Sequence, residues 1–131
     1  MTGETNLKHL LKTMGVFLHN GDYVFSTIND NTLPGFNEII LFFREEEGYT
    51  VILEKERADQ LGLDYSFVAS WITLNVHSSL EAVGFTAAFS QALAAENIPC
   101  NVVAGYFHDH LFVQQKDREK AIAVLEKLSA E

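Results

Sequence analysis

The sequence predicts an α+β protein built from two related units. Three observations predict it. Short apolar runs of strand length alternate with amphipathic helical stretches, and turn signals separate them. Two segments, IILFFREEEGYTVILEKERADQL and VVAGYFHDHLFVQQKDREKAIAVL, both read as strand, turn, strand, helix. Within that echo Lys55-Glu56-Arg57 recurs as Lys116-Asp117-Arg118, each where a strand passes into a helix.

Taken in order, Thr5 caps a helix over NLKHLLKTMG, with Leu7, Leu10, Leu11 and Met14 on its apolar face and Gly15 as its end. Asn20-Gly21 marks a turn, and Tyr23 to Ile28 a strand. The run NDNTLPG is a loop. Glu38 to Arg44 and Tyr49 to Glu54 form a strand pair turned at Glu47-Gly48, with Glu45 to Glu47 as a solvated tip. A short helix from Glu56 to Leu61 closes a first half, residues 1–64.

The second half, residues 65–131, opens with a strand from Phe67 to Val76. Trp71, Thr73 and Asn75 alternate there with Ile72, Leu74 and Val76. A helix ending near Asn97 follows, with Ala88, Leu93 and Ile98 on its apolar side. Cys100 to Gly105 and Leu111 to Gln115 pair as strands, and Lys116 to Leu128 is the last helix. Ala121, Val124, Leu125 and Leu128 form its stripe. The second unit is β-α-β-β-α, whereas the first reads α-β-β-β-α, as if permuted. Neither is a complete four-stranded βαββαβ sandwich, so strands are expected to be shared between the halves.

Composition bounds the function. With 131 residues, 47% hydrophobic and 21% charged, the chain is globular rather than disordered. Its net charge of −9 and lack of a Lys/Arg cluster exclude nucleic acid and anionic membrane surfaces as partners. The lone cysteine, Cys100, forbids an intrachain disulfide and reads as a small buried hydrophobe. No apolar run approaches the roughly 20 residues of a membrane helix, and the first residues lack a signal-peptide core. A soluble, cytoplasmic protein is expected.

Chemistry concentrates between Ile72 and Val113. The loop His77-Ser78-Ser79-Leu80-Glu81 contains an S-x-x-E capping box, which read alone is purely structural. A helix starting at Ser79 would enclose Gly84 at a cost of about 1 kcal/mol relative to Ala. A helix starting near Val83 makes residues 77–82 a true loop and gives Gly84 a purpose, the close approach of a ligand to backbone. The later start is preferred, and a carboxylate then meets the free N–H groups there. His108 and His110 share a face in a regular strand, but no third ligand motif accompanies them, so a turn around His108-Asp109 is preferred to a metal site. No G-x-S-x-G elbow or catalytic dyad occurs, so no catalytic residue, metal or cofactor is predicted.

The run GFTAAFSQALAAENIPCNVVAG, with VHSSLEAVGFTAA and AGYFHDHLFV around it, resembles the ACT family of small-molecule-binding regulatory domains. The likeness extends through FREEEGYTVILEKERADQLGL and WITLNVHSSLEAVG to most of the chain. It is to tandem ACT proteins, a group related to the regulatory domains of aspartate kinases and to a cytosolic arginine sensor. The resemblance implies a ferredoxin-like βαββαβ sandwich, duplicated, with a permuted or incomplete N-terminal half. It implies non-catalytic binding of a small molecule, an amino acid above all, and pairing of domains as a homo-oligomer. The family's loop and helix-start glycine fall on His77, Ser78, Ser79, Glu81, Ala82, Val83, Gly84 and Phe85. Its ligand-facing strand falls on Asn101, Val102 and Val103, and His77, Glu81 or Asp109 would hold the ligand's amino or side-chain end. Two departures stand out: HSSLEAVG replaces the shorter family loop, and Pro99 removes a backbone donor. The first half has no serine-rich loop, so one site per chain is expected. The alternative is a ligand-free oligomerisation or adaptor module, followed by an enzyme using His108 and His110.

Overall fold

The computed structural model describes residues 6–31, 34–76 and 83–131. The elements run α1 (Leu7–Thr13), β1 (Gly15–Leu18), β2 (Tyr23–Ile28), β3 (Ile39–Arg44), β4 (Tyr49–Glu54), α2 (Lys55–Gln60), β5 (Val68–Asn75), α3 (Phe85–Ala95), β6 (Cys100–Ala104), β7 (Asp109–Gln114) and α4 (Arg118–Ala130). One-turn 3-10 segments, Phe36–Glu38 and Gln115–Asp117, precede β3 and α4. The chain forms two compact units, Asn20–Ala69 and a second made of Met1–His19 with Ser70–Glu131.

In the unit Asn20–Ala69, β2 pairs antiparallel with β4 over its full length, and β4 with β3. The first residues of β5 join through Tyr23↔Ala69 and Val24↔Val68. One sheet face carries the core of Val24, Ile28, Val51, Leu53 and, from α2, Ala58. Ser26 donates its hydroxyl to the Asp64 carbonyl at 2.7 Å, which ties the loop after α2 to the sheet. A β-bulge between Ile39 and Leu41 interrupts the β3–β4 register.

The second unit is where strands are shared. β1 pairs antiparallel with β5 from Gly15↔Asn75 to Leu18↔Ile72. β5 is followed by β7 and then β6, the last two joined from Cys100↔Val113 to Ala104↔Asp109. Alternation sends Ile72, Leu74, Leu111 and Val113 to one face. There they meet Leu10 and Met14 of the N-terminal segment, Phe85, Phe89 and Leu93 of α3, and Ala121 and Leu125 of α4.

Four local expectations need correction. The α1 cap is Asn6, whose side-chain oxygen accepts from the His9 N–H at 3.1 Å; Thr5 lies outside the described residues. Gly15 does not end that helix; Met14 does, and Gly15 opens β1, an unforeseen strand. The buried stripe of α3 is Phe85, Phe89 and Leu93, at i, i+4 and i+8, with Ala88 only half-buried. β7 begins at Asp109, because the turn lies earlier: the Gly105 N–H donates to the His108 carbonyl at 2.9 Å.

Leu93 is fully buried among α3, α4 and sheet residues. Leu93→Ala should destabilise the fold by about 2–5 kcal/mol, read as a lower urea midpoint at unchanged slope.

Candidate ligand site

Gly84 is the N-cap of α3 and sits at φ 92°, in the left-handed region where an L side chain is strained. A Cβ there would find ordinary room, with Leu7 Cδ2 at 3.4 Å, so backbone conformation rather than crowding calls for glycine. The helix begins immediately after it, as its cost inside a helix predicts. The Gly84 carbonyl accepts from the Ala88 N–H at 2.9 Å, the first intrahelical bond. Among the described residues no side chain caps this end, and the first turn holds no acidic residue. The N–H groups of Phe85, Thr86 and Ala87 therefore head a helix whose dipole no protein carboxylate in that turn offsets.

At the start of β7, Asp109 is buried, with 7% of its surface exposed. It shares the parity of Leu111 and Val113, which face the helices. Burial pushes its carboxyl above the ordinary carboxylate value, and the charge of neighbouring His108 offsets part of that. His108 Nδ1 lies 3.5 Å from the Val76 carbonyl oxygen. Val76 follows the last residue of β5, so His108, the neighbour of Asp109, lies against that end of β5.

The remaining expected site residues divide. Val83 is 85% exposed, while the Phe85 side chain is buried in the core, so only its N–H is available to a ligand. On β6, Val102 packs against the core, and Asn101 is exposed. Val103 pairs with His110. His77, Ser78, Ser79, Glu81 and Ala82 lie outside the described residues.

The other face of this sheet carries a cluster that sequence reasoning missed. His19 stacks on Trp71 with ring centroids 3.5 Å apart and planes 8° from parallel. Its Nε2 lies 2.7 Å from Thr73 Oγ1, which lies 3.0 Å from His110 Nδ1. The Trp71 indole N–H donates to that same Nδ1 at 3.1 Å. An indole N–H only donates, so His110 must keep Nδ1 unprotonated and carry its proton on Nε2. Burial lowers the His19 pKa, and burial with the charges of His108 and His19 lowers that of His110. The Gly105 backbone passes close by: a Cβ there would lie 3.3 Å from His110 Nε2 and 2.9 Å from the His108 carbonyl oxygen. The alternation of Trp71 with Ile72 was readable; His19 was not, because β1 was not recognised as a strand.

No group of three or more His, Cys, Asp or Glu side chains able to hold a metal occurs among the described residues. Cys100 is half-buried, and burial raises its thiol pKa, partly offset by a hydrogen bond with Ser90.

Two ACT-domain family models match the chain, over residues 2–70 and 66–127. The protein belongs to the ACT-domain family. The two matches run in tandem, and the ferredoxin-like α+β fold is the family's own. A Vibrio cholerae protein of unknown function, described as a possible transport protein, is 46% identical, with TM-score 0.81 over 94% of this chain and 95% of its own. The regulatory subunit of Thermus flavus aspartate kinase shares the fold at 11% identity, with TM-score 0.63 over 87% of this chain and 96% of its own. Escherichia coli aspartokinase III, solved in complex with aspartate and ADP, matches at 12% identity and TM-score 0.65 over 89% of this chain and 33% of its own. No curated protein matches the chain at a significant level. ACT domains are regulatory rather than catalytic, and a regulatory, small-molecule-binding role follows for this member. Among the described residues no helix is long and apolar enough to cross a membrane.

The His19–Thr73–His110 cluster makes stability depend on pH. Both imidazoles have folded-state pKa values below the ordinary 6.5, so the unfolded chain binds more protons just below that pH. Their contribution is complete above about 6.5 and is lost as pH falls through the lowered folded values. Unfolding free energy should decline as pH drops from 7 towards 5, and emission from the single Trp71 should change over the same window. Replacing both histidines with Gln should flatten both curves; a wild-type fluorescence profile unchanged from pH 7 to 5 would contradict this account.

Proposed function

We propose that the protein is a non-catalytic cytoplasmic regulator that binds a free amino acid. Two features of one compact unit support the reading: the helix start at Gly84, without acidic residues in its first turn, and a buried carboxylate, Asp109. An amino acid carries the complementary pair of charges. Its carboxylate would accept from the N–H groups at Phe85 and Thr86, aided by Ser78 or Ser79. Its ammonium would sit against Asp109 and offset the cost of burying that carboxyl. His77, Glu81 and the strand Asn101 to Val103 would line the remainder. The tandem match to ACT-domain models supports a small-molecule ligand. Occupancy would shift an equilibrium among associated copies, the means by which a binding protein without an active site regulates.

A second reading has its own support. β3 exposes Phe42 and Phe43, which suits an association module that needs no ligand.

Thermal shift and calorimetry against the twenty amino acids separate the two. One amino acid should raise the unfolding temperature, by an amount that grows with concentration. Asp109→Asn should remain folded and bind it at least about tenfold more weakly, roughly 1.4 kcal/mol. If no amino acid shifts the folded protein, the ligand reading fails and the association module stands; if Asp109→Asn binds like wild type, Asp109 leaves the site.

A further inference from the structure

The turn Asn20-Gly21 carries chemistry that neither the fold nor the ligand site uses. Asn20 is the one asparagine of the sequence followed by glycine. In that pair the backbone nitrogen is least hindered in attacking the side chain before it, because glycine has no Cβ and is free in its backbone angles. Asn75, Asn97 and Asn101 instead precede Val76, Ile98 and Val102, whose branched Cβ blocks the same attack. Asparagine-glycine often closes a tight hairpin, where pairing on both sides fixes the backbone. Here β1, before the turn, pairs with β5, and β2, after it, pairs with β4 and the start of β5. The turn therefore connects two strands that do not pair with each other.

Asn20 and Gly21 are both exposed. Among the described residues the Asn20 carboxamide and the Gly21 N–H make no hydrogen bond; the Asn20 main-chain carbonyl accepts from the Tyr23 hydroxyl at 2.7 Å. Gly21 sits at φ 95°, and a Cβ there would meet nothing beyond the adjoining residues nearer than that hydroxyl, at 3.9 Å. We infer that Asn20 is a site of spontaneous deamidation in the folded protein. The Gly21 nitrogen attacks the side-chain carbonyl carbon of Asn20, and the new C–N bond closes a five-membered succinimide. The side-chain nitrogen leaves as ammonia, taking the proton lost from the Gly21 amide. Water then opens the ring at either carbonyl. One opening leaves aspartate; the other leaves isoaspartate, whose main chain runs through the former side chain and is longer by a methylene. Nothing is oxidised or reduced: the chain gains water and loses ammonia. Both products place a new negative charge beside a cleft of about 490 Å³ whose lining already sets Asp22, Glu54, Glu56 and Asp59 against Lys55. The isoaspartyl opening also releases from the main chain the carbonyl that Tyr23 holds. The turn records the age of the chain in its charge, with or without a ligand.

Ageing the folded full chain at mildly alkaline pH, beside a peptide of sequence FLHNGDYVF, tests this by peptide mapping and isoelectric focusing. The folded chain should gain a carboxyl at position 20, as isoaspartate and aspartate, within about tenfold of the peptide's rate, because the turn reacts without global opening. A reaction that waited for the unfolded state would be slower by a factor of about 10³ or more. Asn20→Gln, whose ring would need six members, should keep the wild-type circular dichroism and lose both the gain at that position and the acid shift. Asn20 left intact in the folded chain while the peptide converts, or a carboxyl that appears first at another asparagine, overturns the assignment.

Discussion

The second unit depends on four residue pairs: the antiparallel contact of Gly15–Leu18 with Ile72–Asn75. It recruits the N-terminal segment into a fold whose other elements begin at Ser70. Leu10 and Met14 come with it and are buried in the same core as α3 and α4. The Ser129 hydroxyl, near the end of α4, donates to the Met14 carbonyl at 3.2 Å, so the ends of α1 and α4 are fastened to one another. Leu7 reaches the Gly84 backbone from the same segment. At the other end of β1, the His19 N–H donates to the Trp71 carbonyl at 2.9 Å, and this bond lays the imidazole flat over the indole. Core, helix start and imidazole cluster therefore rest on one strand of four residues.

The two faces of that sheet have different chemistry because strand alternation leaves no choice. Ile72 and Leu74 look to the helices, while Trp71 and Thr73 look away. Among the described residues the helix face is apolar apart from Asp109 and Ser70, a buried serine on the parity of Ile72 and Leu74; the other joins aromatic area to a chain of three polar groups. In that chain each proton has a required position. Trp71 fixes the His110 lone pair, and the Thr73 hydroxyl, with one proton to give, lies between two imidazole nitrogens. Adding a proton rearranges the whole chain, which makes the cluster a unit rather than two separate histidines.

What could be read in the sequence follows from the strength of each local signal. β2 and β4 were legible to the residue, because turn residues bound them and each has a full-length partner. The start of α3 was legible because glycine inside a helix costs enough to decide between two positions. β1 was not legible. GVFL is four residues long, has no alternation of its own, and becomes a strand only through β5, more than fifty positions away. The α3 stripe was misjudged because alanines populate every face of that helix; only packing shows that Phe85 and Phe89 are the anchors. Of the expected site, the helix start and Asp109 lie among the described residues, whereas residues 77–82 do not.

Asp109 is the most instructive of the failures. Local propensity reads it as a turn former, and aspartate is poorly suited to the interior of a strand. The Ala104↔Asp109 pair nevertheless places it in β7, and its parity turns it to the apolar side. A carboxyl held there is costly when charged, which is why its pKa rises. Sequences that specify one fold agree with it at most levels, and disagreements gather where something other than stability is selected. Packing alone would favour an apolar residue at 109, level with Leu111 and Val113. A cationic group arriving beside the carboxyl would lower the cost of its charge, so the position would be unfavourable without such a group and improved with it. That difference between two states is what coupling of binding to a regulatory equilibrium requires.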